Sequence, residues 1–156
     1  MKLNSRHVSD SLEQREAETI VLGFVQPKAG CSLAGEMLPL GDEVVVKVDG
    51  FNREHRVLCE VYSRIGRLKG SQPDNLASDM LKLVLAERAL GGTWRKLLCF
   101  ADSEAAKCVQ GKSWLAATAR QMGFEVVVVD LPSSTRERIL AAQRRQVMVN
   151  LSIGDS

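Results

Sequence analysis

Hydrophobic positions recur along the chain at helical spacing in some stretches and at strand spacing in others. Residues 12–25 form the first periodic segment, and Asp10-Ser-Leu-Glu13 reads as a capping box in which side chains answer exposed backbone amides. Residues 26–41 hold Pro27, Gly30, Gly35, Pro39 and Gly41 and predict a loop with short extended pieces. A β-branched run at 43–48, turn residues at 49–53 and an apolar return at 56–62 predict an antiparallel hairpin. Residues 65–73 read as a basic loop. Leu76, Met80, Leu83, Val84 and Leu90 then share one helical stripe that Gly91-Gly92 ends. Beyond it, 96–101 reads as a short buried strand and 113–122 as a helix stopped at Gly123. Residues 124–130 form a strand apolar enough to be covered on both faces, and a last helix spans about 135–148.

Strands separated by helices imply a parallel portion of sheet, here joined to the hairpin. The expectation is a three-layer α/β domain with a mixed sheet, occupying all 156 residues as one domain with a core of about 12–131.

Composition narrows the function classes. A chain 45% hydrophobic and 26% charged is built to fold rather than to stay disordered. Its apolar runs are too short to cross a bilayer, and its N-terminus has no apolar leader core. Cys31, Cys59, Cys99 and Cys108 form no CxxC pair, which argues against a zinc site and for reduced thiols in a cytoplasmic protein. The net charge of +2 leaves a nucleic-acid partner open, whereas 4% aromatics are too few for rows of stacked bases.

Candidate chemistry concentrates in the hairpin. Asp42 and Glu60 each stand nine positions from Phe51. A hairpin symmetric about Phe51 would therefore set the two carboxylates opposite each other, about 4.5–5.5 Å apart at Cβ. Carboxylates that close repel unless a cation lies between them or one takes a proton. Hard oxygen donors of this kind suit Mg²⁺. A one-residue slip in register would put them on opposite faces.

Gly41-Asp42, an apolar strand, a turn, and a returning strand that carries Glu60-Val61-Tyr62-Ser63-Arg64 resemble the core of the PD-(D/E)XK nucleases. This superfamily includes restriction endonucleases and Holliday junction resolvases, and the order of elements is similar over residues 12–131. The resemblance implies a restriction-endonuclease-like fold, with Asp42 and Glu60 as metal ligands. Glu18, or else Glu13 or Glu16, would be the accessory acid on the first helix. It also implies Mg²⁺-dependent hydrolysis of DNA. Tyr62 stands where the motif has lysine, and a neutral hydroxyl supplies no charge. Lys69, in the following loop, is the candidate to replace it. Arg53, Arg56, Arg64, Arg67 and Lys69, with Gln72, would form a phosphate-contacting lip. A homodimer would let two such sites address two strands. The alternatives are a nuclease-like DNA-binding or protein-interaction module without catalysis, and an oligomeric scaffold.

Overall fold

The computed structural model describes residues 5–154. Helix α1 (Ser5–Ala29) buries Ala17, Val21, Val25 and Ala29 at four-residue intervals, with Leu22 beside them. It begins upstream of the predicted capping box, so Asp10 lies inside the helix rather than at its start. It ends where Gly30, at φ 78°, donates to the Gln26 carbonyl. The stretch predicted as mostly loop is instead the last turn of α1 followed by an edge strand, β1 (Ala34–Gly41). β1 turns through Asp42 and Glu43, at φ 49° and 62°, into β2 (Val44–Asn52). Two consecutive positive φ values suit a tight turn between twisted strands.

β2 pairs antiparallel with β3 (Val57–Tyr62), which pairs parallel with β4 (Arg95–Phe100), which pairs parallel with β5 (Phe124–Val128). The five strands lie in sequence order, β1 to β5, in one open mixed sheet. Between β3 and β4 lies α2 (Gln72–Leu90); a short α3 (Ser103–Ala106) and α4 (Trp114–Gln121) precede β5, and α5 (Ser133–Gly154) closes the chain. β5 is an edge strand with partly exposed side chains rather than the doubly covered strand its apolar run predicts.

Side chains alternate across the sheet, so each face has its own core. On one face Leu38, Val48, Phe51, Leu58, Leu98 and Phe100 meet the buried stripe of α2, Leu76, Met80, Leu83 and Ala86. On the other, Val57, Cys59, Val61, Leu97 and Cys99 meet α1 and Ile139 of α5. All four cysteines are free thiols. No helix among the described residues is long and apolar enough to cross a membrane.

The register of β2 and β3 differs from the symmetric hairpin about Phe51. Gly50 pairs with Cys59, Phe51 with Leu58 and Asn52 with Val57. Phe51 is 8% exposed and stacks on Trp94 with ring centroids 5.6 Å apart. Burying that ring outweighs leaving it in a turn, so the turn moves outward to Arg53-Glu54-His55-Arg56. There the Asn52 side chain accepts the His55 amide, and Arg56 adopts φ 53°.

A cleft at the divergence of two strands

Along β2 the pairing with β1 gains one residue: Val48 pairs with Glu36 but Phe51 with Ala34. The extra residue falls at Asp49-Gly50, a bulge that bends the strand and breaks the alternation of faces. Val48 and Phe51 both enter the α2-side core, while Gly50 lies against the α1 side. A Cβ on Gly50 would collide with Cys59 Sγ and lie 3.1 Å from Leu22 Cδ1, so only glycine allows this approach. The ladder between β2 and β3 ends at Gly50, and the next free amide of β3, that of Val61, donates to Asp49 Oδ2 at 2.9 Å.

The same register, carried one step further, sets Asp49 beside Glu60. Glu60 is 3% exposed and within hydrogen-bond reach of the Asp49 carboxyl. Opposite them, α2 supplies Lys82, whose ammonium contacts Glu60 Oε1 and lies 3.5 Å from Asp79 Oδ1. The Tyr62 hydroxyl donates to Asp79 Oδ2 at 3.0 Å, and its ring stacks on Phe100. Of these groups, Asp49, Tyr62 and Asp79 line a cleft of about 260 Å³, bounded by α1, the loop after β3, α2 and α5.

Burial and the neighbouring Asp49 push the Glu60 carboxyl up to about 10, against the opposing pull of Lys82. Burial raises Asp79 as well. Glu18, on α1, is raised by burial and by the field of Asp49. Burial pulls the Lys82 ammonium down, but the Glu60, Asp79 and Asp49 carboxyls outweigh it and its net direction is up. Tyr62 is raised by burial and by the same carboxyls, so it remains a neutral donor. Asp49 and Glu60 are the donors that could share a hard cation. Among the described residues no group of three or more His, Cys, Asp or Glu is placed to hold a metal. The donor set fits an ion that takes two carboxylates and keeps several waters, as Mg²⁺ does.

The sequence candidates divide accordingly. Glu18, Tyr62, Arg64 and Gln72 line the cleft, and Glu60 is buried beside Asp49, which lines it too. Asp42 is not. It sits exposed at the tip of the β1–β2 turn, seven residues along β2 from Asp49, roughly 20 Å at strand rise. Its predicted pairing with Glu60 fails because the turn centre is not Phe51. Arg56 and Arg53 lie in the β2–β3 turn, at the end of β3 opposite the cleft, and Arg53 stacks over the Phe51 ring. Lys69 is exposed in the loop after β3, and its backbone amide donates to Gln72 Oε1. The lysine that reaches Glu60 is Lys82. Arg67 is largely exposed, 4.0 Å from Glu104, and its carbonyl accepts from Arg64 Nε. Glu13 and Glu16 line a second, smaller groove between α1 and α5, and Glu13 also reaches the cleft.

Asp49, Asp79 and Lys82 were not legible as site residues, although a signal existed for two of them. Asp79 and Lys82 flank the buried stripe of α2, three residues on from Leu76 and four before Ala86, and are half-buried. Charges at such positions need partners across the interface.

The loop that lips the cleft is held by side chains from distant elements. Gln143 of α5 accepts the Ile65 amide at 3.0 Å and donates to the Ile65 carbonyl at 2.9 Å. Asp102, at the end of β4, accepts the Gly66 amide at 2.7 Å and pairs with Arg136 of α5. Burial would raise Asp102, but these donors outweigh it and hold the carboxyl below its usual range. Comparison with protein-family models, with curated proteins and with solved structures returns no match to this chain.

Proposed function

We propose that the cleft hydrolyses phosphodiesters of nucleic acid with the help of a divalent cation, in the manner of the PD-(D/E)XK nucleases that the sequence resembles. The observation that carries this reading is a buried Glu60 beside Asp49 with Lys82 on it, next to a cleft that Asp49 lines. In this assignment Asp49 takes the role first given to Asp42, and Lys82, supplied from α2, takes the role left empty by Tyr62.

Asp49 and Glu60 would hold Mg²⁺, which supplies charge neutralisation at the phosphate and a more acidic water. Lys82 would orient the attacking water and offset negative charge developing on the phosphate oxygens. One P–O bond forms from water as one ester P–O bond breaks, and a water proton ends on the departing oxygen. Tyr62 acts through Asp79. It donates to Asp79, which in turn faces Lys82 and helps to aim it.

Cleavage of DNA and RNA oligonucleotides with Mg²⁺ or Mn²⁺ tests the assignment. Asp49→Asn, Glu60→Gln and Lys82→Met should each lower the rate about 100-fold or more, while Asp42→Asn should leave it unchanged. Loss of activity on Asp42→Asn, or full activity in Glu60→Gln, would place the chemistry elsewhere. A second reading, a binding module without catalysis, is favoured by the Lys82–Glu60 ion pair and by the lack of a third metal donor among the described residues. Binding without cleavage under both cations would select it.

A further inference from the structure

We infer that the segment from Ser103 to Met122 presents a docking surface for single-stranded nucleic acid, centred on the exposed ring of Trp114. The surface lies outside the cleft and does not rest on the hydrolytic reading. The first observation is the ring and its mount. Trp114 opens α4 and is 72% exposed. The backbone that carries it is fixed on both sides. Ser113 Oγ accepts the Ala116 amide at 3.1 Å and donates to the Cys108 carbonyl at 3.4 Å. Arg120 donates to the carbonyl of Gly111, which has φ 105°, at 2.7 Å, and Thr118 Oγ1 donates to the Trp114 carbonyl at 2.8 Å. A ring held out on a rigid mount loses little further freedom when a ligand stacks on it.

The second observation is charge. No Asp or Glu occurs from Ala105 to Phe124, whereas Lys107, Lys112 and Arg120 do. The bond to Gly111 brings the Arg120 guanidinium to the residue next to Lys112, and Lys112 is exposed two positions before the ring. The acids that flank the segment are already answered. Glu104 contacts Lys107 at 2.7 Å and Arg67 at 4.0 Å, and Glu125 takes Arg95 through both of its oxygens, at 2.9 and 3.1 Å. A surplus of positive charge therefore surrounds Trp114, and it selects an anionic partner.

The third observation identifies the anion. The other large exposed hydrophobic residue of the segment is Met122, eight positions on, roughly 12 Å away along the helix. The apolar core of a protein interface needs a contiguous patch. A lone ring instead matches one flat face. An unpaired base offers that face, with its phosphates within a nucleotide's reach for Lys112 and Arg120, and stacking plus backbone neutralisation is how single strands are held. Pairing buries the base faces in a stack, which sets duplex aside. Low aromatic content rules out rows of stacked bases but leaves room for one.

The test titrates the protein in EDTA with oligothymidylate or oligouridylate of about 12 nucleotides and follows tryptophan fluorescence and anisotropy. Trp94 is buried, so quenching reports Trp114. Both oligonucleotides should quench, with affinity falling with salt at a log–log slope no steeper than about −3, since about four cations take part. Trp114→Ala should leave the melting temperature unchanged and weaken binding about five-fold or more, and Trp114→Phe should restore most of it. Lys112→Ala should reduce the slope by about 0.7. Absence of binding at low salt, or binding that Trp114→Ala leaves intact, would overturn the inference. So would equal binding and quenching by poly-glutamate, which would assign the surface to an acidic protein, or tighter binding of a blunt duplex. Because the assay holds no metal, its outcome is independent of whether the cleft hydrolyses anything.

Discussion

Replacing Glu60 with glutamine should make the protein more stable at neutral pH. The wild-type carboxyl is pushed up to about 10 from an ordinary value of 4.5 by burial and by Asp49, with Lys82 only partly compensating. A carboxyl whose folded value is raised favours folding below its unfolded value and loses that advantage as pH rises toward the folded one. Between 4.5 and pH 7 the folded chain must take up a proton that the unfolded chain has released. At about 1.4 kcal/mol per pH unit, the penalty at pH 7 is roughly 3 kcal/mol. Glutamine keeps the shape, stays neutral and escapes the penalty.

Thermal melts of wild type and Glu60→Gln in EDTA, from pH 4.5 to 9, give the measurement. The two should melt together near pH 4.5 and separate as pH rises. The variant should lead by about 6–12 °C at pH 7, given about 2–4 °C per kcal/mol for a chain of this size. Acidic groups elsewhere titrate equally in both proteins and cancel in the difference. Mg²⁺ should narrow the gap by stabilising wild type alone, because only the wild-type carboxyl can give up its proton and bind the cation with Asp49. The reasoning fails if the variant is the less stable at pH 8. That outcome would mean that Glu60 is ionised and held by Lys82, so that its removal strands a half-buried ammonium.

Gly50→Ala should lower stability by about 1–3 kcal/mol, read by urea unfolding, because its methyl meets Cys59 Sγ and Leu22. The same substitution should impair cleavage, since the bulge that aims Asp49 has to shift. Glu87→Gln should cost about 3 kcal/mol by the same assay. It weakens the partner of Lys96, which is 4% exposed and bonded to Glu87 Oε1 at 2.8 Å. Burial raises Glu87, but Lys96 and the Trp94 amide outweigh it and hold the carboxyl low. The stability from Glu87 should therefore be present above the ordinary carboxylate range and fade as pH falls through the folded value. Tyr62→Phe should leave Mg²⁺ stabilisation intact but slow cleavage several-fold, because Asp79 loses the donor that steadies it beside Lys82.

Most of the fold was legible because its elements announce themselves locally. The stripe of α2, its arrest at Gly91, the apolar run of β4 and the serine that caps α4 each depend on neighbours within a turn or two. Ser113 Oγ accepts the Ala116 amide at 3.1 Å as its position suggests. β1 was missed for the same reason. Its sequence, AGEMLPLG, combines breakers with no β-branched residue, and it is a strand because β2 offers an edge to pair with. The two tryptophans, both at element boundaries where the sequence suits core or interface residues, divide: Trp114 is 72% exposed, while Trp94 is buried against Phe51.

The site was half legible, and the missing half follows from one ring. Two carboxylates facing each other across a hairpin is the arrangement found, but with Asp49 in place of Asp42, because Asp49-Gly50 reads locally as a turn. Whether those two residues turn or bulge depends on where Phe51 goes. Phe51 goes into the core because Trp94, more than forty residues later, stands ready to stack on it. With Phe51 inside, the turn falls at residues 53–56, and Gly50 becomes the point where β2 can press against Cys59 and α1. Asp49 is then the residue at which the two strands part, and its carboxylate replaces the missing ladder bond to Val61. The same parting of strands opens the cleft and sets the second acid beside Glu60. A contact made at long range therefore selects which aspartate stands beside Glu60, and no pattern within the hairpin alone could distinguish them.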